Sequence, residues 1–350
     1  METQEKIVKI NLLVSDRVVH NLSESIIEIA AAMHKDRDII IALNTEGPSI
    51  EQLTYRVRDN LLHLLESLCE KMPYDPDRIQ IETGNLIEDC KGKFALRKGN
   101  TIKGWFYGKH LAKIELQSVK KFEYHYGNFV SNSTYPRLLI GSYLYKNYKD
   151  KTLQTFRRDP TDPGQAVDLD LDKLMFECAD PKVLGQISYF VNHLPLELES
   201  GLREHPKTNI NAGEDGDAIN SNILGWYNRF FCDIVTETFF SGTTFFPTEK
   251  ITRPLLCKNP FIVHGPRDYL TNLKKLGFKT FHKFWNEEYD HYTGYQRVQK
   301  IYKVIDQIST YSNSDLQSTH NEMLPILEHN KKRLLSISDQ DIDKFILHNR

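Results

Sequence analysis

FCDIVTETFFSGTTFFPTEKITRPLLCKNPFIVHG, residues 231–265, is the stretch that decides the fold. An apolar strand through Ile234 and Val235 runs into a carboxylate, Glu237. A Gly-containing loop follows, and Thr248-Glu249-Lys250 opens a short helix. Thr248 stands where an N-cap belongs, with an acid and a base in the first turn. The helix leads through Pro260 into a second apolar strand, Phe261-Ile262-Val263. Strand, loop, helix and strand in this order predict a parallel α/β unit. Pro254 lacks the N–H that the Lys250 carbonyl needs, so a kink or restart is expected there.

The rest of the chain extends the pattern. Ile7–Val14 reads as a buried strand and Leu22–Met33 as a helix. Asp38–Leu43 is a second strand, ending at Asn44-Thr45-Glu46-Gly47-Pro48. Ser49–Met72 carries apolar residues at helical spacing, and Arg78–Glu82 is a third strand. Residues 91–121 hold nine Lys or Arg, one acid (Glu115) and the aromatics Phe94, Trp105, Phe106 and Tyr107. This segment reads as an exposed basic loop or edge, either a solvated face or a holder of an anionic acceptor. A second unit begins near residue 120, with a strand ending at Phe129-Val130-Ser131-Asn132 and a helix opened by Pro136-Arg137. Residues 159–172 and 205–222 read as surface loops. Helices are expected at Asp268–Leu276 and near Tyr295–Ile308, and the tail from 315 leans helical.

Composition bounds the function. The chain has 350 residues, 40% hydrophobic and 26% charged, enough for two domains with real cores. A net charge of −2 gives no global attraction to nucleic acid or membrane. Five widely spaced cysteines without a CxxC speak against a zinc site or a disulfide framework and fit a reducing cytoplasm. No apolar run reaches the roughly 18–20 residues of a membrane span. Residues 1–6 lack the apolar core of a signal peptide. Asp168-Leu-Asp170 has the spacing of a metal-binding pair but follows a Pro-rich loop, so it reads as a helix cap. Asn209–Asp217 lacks the closing Glu of a calcium loop. No metal site is expected.

The chemistry lies at strand ends. Helix N-termini favour phosphate through unpaired N–H groups and the helix dipole. Lys250 adds a full positive charge, and Glu249 can accept hydrogen bonds from a ribose diol. In open parallel sheets, ligands bind beyond the carboxyl ends of the strands. Arg137, just past such an end, can grip phosphate oxygens bidentately. His264 reads either as a phosphate contact or as a packed core histidine.

Strand–Glu237, then Thr248-Glu249-Lys250, a helix, Pro260 and an apolar strand ending in Gly265 resemble the donor signature of α1,3-fucosyltransferase-like glycosyltransferases. The upstream FVSNSTYPRLLIGSYLYKNY (129–148) is similar to that family's segment with Ser-Asn at a strand end, then Arg and a Leu-containing helix. The resemblance spans roughly residues 120–265. It implies a GT-B fold: two Rossmann-like domains at 1–118 (acceptor) and 119–310 (nucleotide sugar), with a helical tail at 311–350. It implies that Arg137 and Lys250 face the donor pyrophosphate, Glu249 binds the ribose, Glu237 lies near the transferred sugar, and Ser131 and Asn132 line the cleft. No metal or other cofactor is required. Thr238-Phe239 stand where the family has Asn-Ser, and Phe246-Pro247 where it has Tyr, so the donor base and sugar stay open. Residues 260–290 also look like poorly characterised proteins of tailed bacteriophages.

An inverting transfer needs a base, and Glu46, held by the Gly47-Pro48 turn, is preferred over Glu82; a retaining transfer would need none. The expected activity is sugar transfer from a nucleoside-diphosphate sugar to an acceptor hydroxyl. The acceptor is a glycan or, through segment 91–121, a nucleic-acid base. The alternatives are a DNA-base glycosyltransferase or nucleotide-sugar epimerase on the same fold, or a non-catalytic binding protein on a degenerate scaffold.

Overall fold

The computed structural model describes residues 6–15, 18–44, 47, 49–55, 59–88, 93–99, 103, 106–114, 116, 120–130, 134–156, 180–198, 221–240 and 242–349. The chain forms two compact units. The first comprises residues 1–103, 242–246 and 342–350, and the second 104–241 and 247–341. Both are α/β structures, the second with an all-parallel sheet and the first with a mixed, mainly parallel one. No helix among the described residues is long and apolar enough to cross a membrane.

In the first unit, strands β1 (Ile7–Ser15), β3 (Asp38–Asn44), β6 (Ile79–Thr83) and β7 (Ala95–Lys98) pair in parallel and in that spatial order. Short strands β2 (Val18–Val19), β4 (Thr54–Tyr55) and β5 (Asp59–Asn60) extend the β1 edge. Each parallel strand follows its spatial neighbour in sequence, so right-handed crossovers carry helices α1 (Leu22–His34) and α2 (Leu61–Lys71) to one face. Ile10, Leu12, Ile39, Ile41, Ile79 and Ile81 point into that core. The alternate residues Lys9 and Gln80 point outward, and Lys9 pairs with Glu82 at 2.7 Å.

The helical reading of 49–72 is half right. Only Leu61–Lys71 is α-helix, because Asn60 caps it through a 2.7 Å bond from Leu62 N–H. The residues before it form a single 3₁₀ turn, then β4 and β5. The basic segment also differs from an exposed loop: Phe94, Phe106 and Tyr107 are all buried core residues.

In the second unit, β8 (Tyr124–Phe129), β9 (Thr152–Thr155), β10 (Phe230–Thr236) and β11 (Phe261–His264) are all parallel, in the order β11-β10-β8-β9. From β8 the chain steps one way through α3 (Tyr135–Tyr148) to β9, then returns to β10 on the other side. From there it steps away through α5 (Glu249–Cys257) to β11, while α4 (Pro181–Val191) lies on the return path. Opposite steps put α3 and α5 on opposite faces. With α3 lies α7 (Gly294–Ser309), tied by the Tyr302 hydroxyl to the Leu139 carbonyl and by the Tyr126 hydroxyl to the Ile305 carbonyl. On the other face Phe231 meets Phe122, which meets His320 of α8 (Asn313–Ser336). Gly141 lets α3 approach the sheet: a Cβ there would stand 2.3 Å from the Phe156 ring. The helix α6 (Tyr269–Lys275) follows β11. The last helix, α9 (Asp339–His348), belongs from Ile342 onward to the first unit. Pro254 does not break α5, which continues through it to Cys257.

Burial drives the His320 pKa down to about 4 and lowers that of His125. His320 is neutral in the fold and bonds the Lys258 carbonyl. A His with a lowered folded pKa stabilises fully above its ordinary 6.5, and that stability is lost as pH falls from 6.5 toward 4. Urea unfolding at pH 5 is expected to show about 2 kcal/mol less stability from His320 than at pH 7. The variant His320→Gln should lose correspondingly less between the two pH values; an unchanged loss would assign the acid sensitivity elsewhere.

Candidate functional site

The strand order of the second sheet reverses between β8 and β10, and ligands of open parallel sheets bind beyond the strand ends at such a point. The residues at this point are polar and buried. Asn128, Arg137, Glu237, Thr248, Glu249, Arg253 and His264 are each no more than 5% exposed.

Glu237 follows β10 directly, and its carboxylate is fully engaged. Oε2 accepts from the Thr248 hydroxyl at 2.8 Å. Oε1 accepts from the Tyr269 hydroxyl at 2.6 Å and from Thr248 N–H at 3.4 Å. Burial pushes its pKa up, against the pull of Lys250 and these donors. Glu237 thus joins the end of β10 to the first residues of α5 and α6. A Cβ at Gly265 would press on the Tyr269 ring at 3.1 Å and stand in ordinary contact with Glu237 Cγ at 3.5 Å.

Thr248 is the N-cap of α5, as its sequence position predicts. Its hydroxyl accepts from Lys250 N–H at 3.2 Å, and Lys250 Nζ donates to the same oxygen at 3.4 Å. Lys250 Nζ also reaches Glu249 Oε1 at 3.1 Å, and the Arg253 guanidinium stands 3.9 Å from that oxygen. Burial alone would raise the Glu249 pKa, but Lys250 and Arg253 outweigh it and hold the carboxyl below its ordinary value. Glu249 Oε2 has no hydrogen-bond partner among the described residues.

Arg137 lies in the first turn of α3, 3% exposed, and donates to the Thr238 hydroxyl at 3.3 Å. Thr238 is one of the positions where the chain departs from the fucosyltransferase pattern, and here it positions the arginine. Among the described residues, Arg137, Lys250 and Arg253 bring three positive charges to the carboxylates of Glu237 and Glu249. Such an arrangement favours an anion with several oxygens.

Of the residues singled out in the sequence, Arg137, Glu237, Thr248, Glu249 and Lys250 all belong to the second unit and gather at the reversal. Glu46, Ser131 and Asn132 lie outside the described residues, as do Asp168, Asp170 and the run 209–217. Glu82, the other base candidate, is taken up by Lys9 at 2.7 Å and Arg97 at 3.5 Å. Arg253 and Tyr269 are contributors that the sequence reading missed. Arg253 had a signal, its place four residues after Glu249; Tyr269 meets Glu237 across 32 residues and had none.

Two other features carry no comparable chemistry. Asp268, Asp290 and His291 lie within ligating distance of one another. Asp290 is, however, the cap of α6, accepting from Leu270 N–H, Thr271 N–H and the Thr271 hydroxyl at 2.8–3.0 Å. A surface groove of about 580 Å³ around His282, Trp285 and Asn286 is lined by mixed charges without convergence.

No family model matches the chain, and no curated protein or solved structure matches it.

Thr248→Ala removes both the α5 cap and a donor to buried Glu237. Stability measured by urea unfolding should fall by about 1–2 kcal/mol, and Thr248→Ser should restore most of it. A neutral Thr248→Ala would mean that Glu237 does not depend on this contact.

Proposed function

We propose that the second unit binds a nucleoside-diphosphate sugar and that the protein is a glycosyltransferase. The observation that carries this is the buried basic cluster at the sheet reversal. Arg137 opens the helix after β8, and Lys250 opens the helix after β10. Neighbouring parallel strands stand about 4.8 Å apart, so the two cations flank a crevice suited to a diphosphate. The α5 N-terminus adds its dipole. Glu249, held ionised and with one oxygen unpartnered, is suited to accept from a ribose diol.

In this scheme the acceptor hydroxyl attacks the anomeric carbon of the sugar and the nucleoside diphosphate departs. Arg137 and Lys250 stabilise the charge that develops on the leaving oxygen, which is electrostatic catalysis by preorganised groups. Glu237, with both carboxylate oxygens bonded by Thr248 and one also by Tyr269, serves as a brace that fixes Lys250 through Thr248. Glu46 keeps the part of acceptor base, and Ser131 and Asn132 that of pocket lining. The first unit takes the acceptor role of a GT-B enzyme.

A thermal-shift panel of UDP, GDP, ADP and their sugars is the direct test. At least one should raise the unfolding temperature of the wild type. Lys250→Ala and Arg137→Ala should each weaken it about 10- to 100-fold, the loss of one charged hydrogen bond of about 1.5–3 kcal/mol. No stabilisation by any of the compounds would overturn the donor site. Stabilisation indifferent to both substitutions would place the nucleotide elsewhere.

A further inference from the structure

His264 ends β11, opposite Thr236 of β10 in the register. Its side chain is 1% exposed and lies against the Phe240 ring, with centroids 5.6 Å apart. Neither ring nitrogen has a hydrogen-bond partner among the described residues. Leaving a buried polar group unsatisfied costs on the order of 1–3 kcal/mol. Native proteins keep few such groups, and those that remain cluster where a ligand or water completes them.

The ring is not held as a cation. Burial, then the charges of Arg297 and Arg137, bring its pKa down to about 3. A neutral imidazole carries one N–H and one lone pair, on opposite sides of the ring. It therefore needs two partners, one acceptor and one donor. A phosphate offers only acceptors, whereas a hydroxyl is donor and acceptor both. His264 thus complements a hydroxyl-bearing group rather than a phosphate alone. Arg137 is close enough to act on it electrostatically, so the sugar attached to a diphosphate at Arg137 and Lys250 is the matching partner.

Building on the donor site proposed above, we propose that His264 recognises the transferred sugar: its lone-pair nitrogen accepts from a sugar hydroxyl, and its N–H donates to an oxygen of the same ligand. It is a specificity residue, with no covalent or proton-transfer step assigned to it. Phe240 lies against the face of the ring.

Titration calorimetry of the full chain with UDP, GDP, UDP-glucose, UDP-galactose, GDP-mannose and GDP-fucose tests this. In His264→Phe, the best-bound sugar nucleotide should weaken about 10-fold or more, in line with the loss of a recognised hydroxyl. Its parent diphosphate should change less than about twofold, within the range of a surface-type effect. His264→Asn, which keeps a donor and an acceptor, should recover part of the sugar affinity. It also carries the test if the Phe variant does not fold. Equal weakening of sugar nucleotide and diphosphate, or no change in either, overturns the assignment. If the wild type binds none of the compounds, the donor site itself falls and this inference with it. If the diphosphate binds and responds to Lys250→Ala while the sugar is indifferent to His264, only this inference falls.

Discussion

The buried carboxylate of Glu237 is the constraint on which the site depends. An unpaired charge in that position would be very costly, and the fold avoids the cost by bringing three donors to it. These come from Thr248 N–H, the Thr248 hydroxyl and the Tyr269 hydroxyl. They belong to the starts of two helices, so one side chain sets the position of both relative to the end of β10. Thr248 is thereby fixed as the cap of α5, and Lys250, bonded to the same hydroxyl, is fixed in turn. Residue 265 lies close to this arrangement: a Cβ there would press on the Tyr269 ring at 3.1 Å.

The second constraint is topological. A sheet whose chain steps outward in both directions from its middle must leave a gap between the first helices of the two halves. In the second unit those helices are α3 and α5, and their first turns carry Arg137 and Lys250. The even-numbered face at the strand ends supplies Asn128, Thr236 and His264, while Glu237 turns toward the other. The gap is lined from both faces, which a sheet with sequential strand order does not achieve. The first unit, ordered β1-β3-β6-β7 without reversal among its parallel strands, illustrates the contrast.

Much of this was legible in the chain, for identifiable reasons. Asp38–Leu43 reads as a strand because Ile39–Leu43 is apolar throughout and bounded by polar and turn residues, as a strand buried on both sides must be. Thr248 reads as a cap because the residues after it are helix formers of alternating charge. Ser49–Met72 misled because its leucines keep helical spacing while Asn60, a better cap than helix residue, starts the helix eleven positions late. Phe94, Phe106 and Tyr107 looked exposed because lysines flank them; their rings are buried, as long basic side chains can permit while keeping their charges in water. The Tyr269–Glu237 bond was not legible, because it joins residues far apart in sequence and depends on where α6 begins. That start is set by Asp290, which caps it from twenty residues downstream. The sequence places Glu237 at the site; that its three hydrogen bonds also tie the end of β10 to the starts of two helices is a fact only three-dimensional contacts can supply.

The two acids of the site show how one local charge does two jobs. Glu237 and Glu249 are both buried, and burial pushes both pKa values up. Lys250 pulls both down, but only Glu249 also has Arg253 beside it, and its shift ends on the opposite side of the ordinary value. Groups whose surroundings push them apart can take different roles at one pH. The acid whose pKa is lowered is the one with an oxygen lacking a partner among the described residues, and the acid whose pKa burial raises is the one bonded by Thr248 and Tyr269. A simple anion would face the cations and offer no hydroxyl to Glu249 Oε2 or to the His264 ring, which lack hydrogen-bond partners among the described residues. Under the proposed function, a diphosphate carrying sugars on both sides would bring hydroxyls to both.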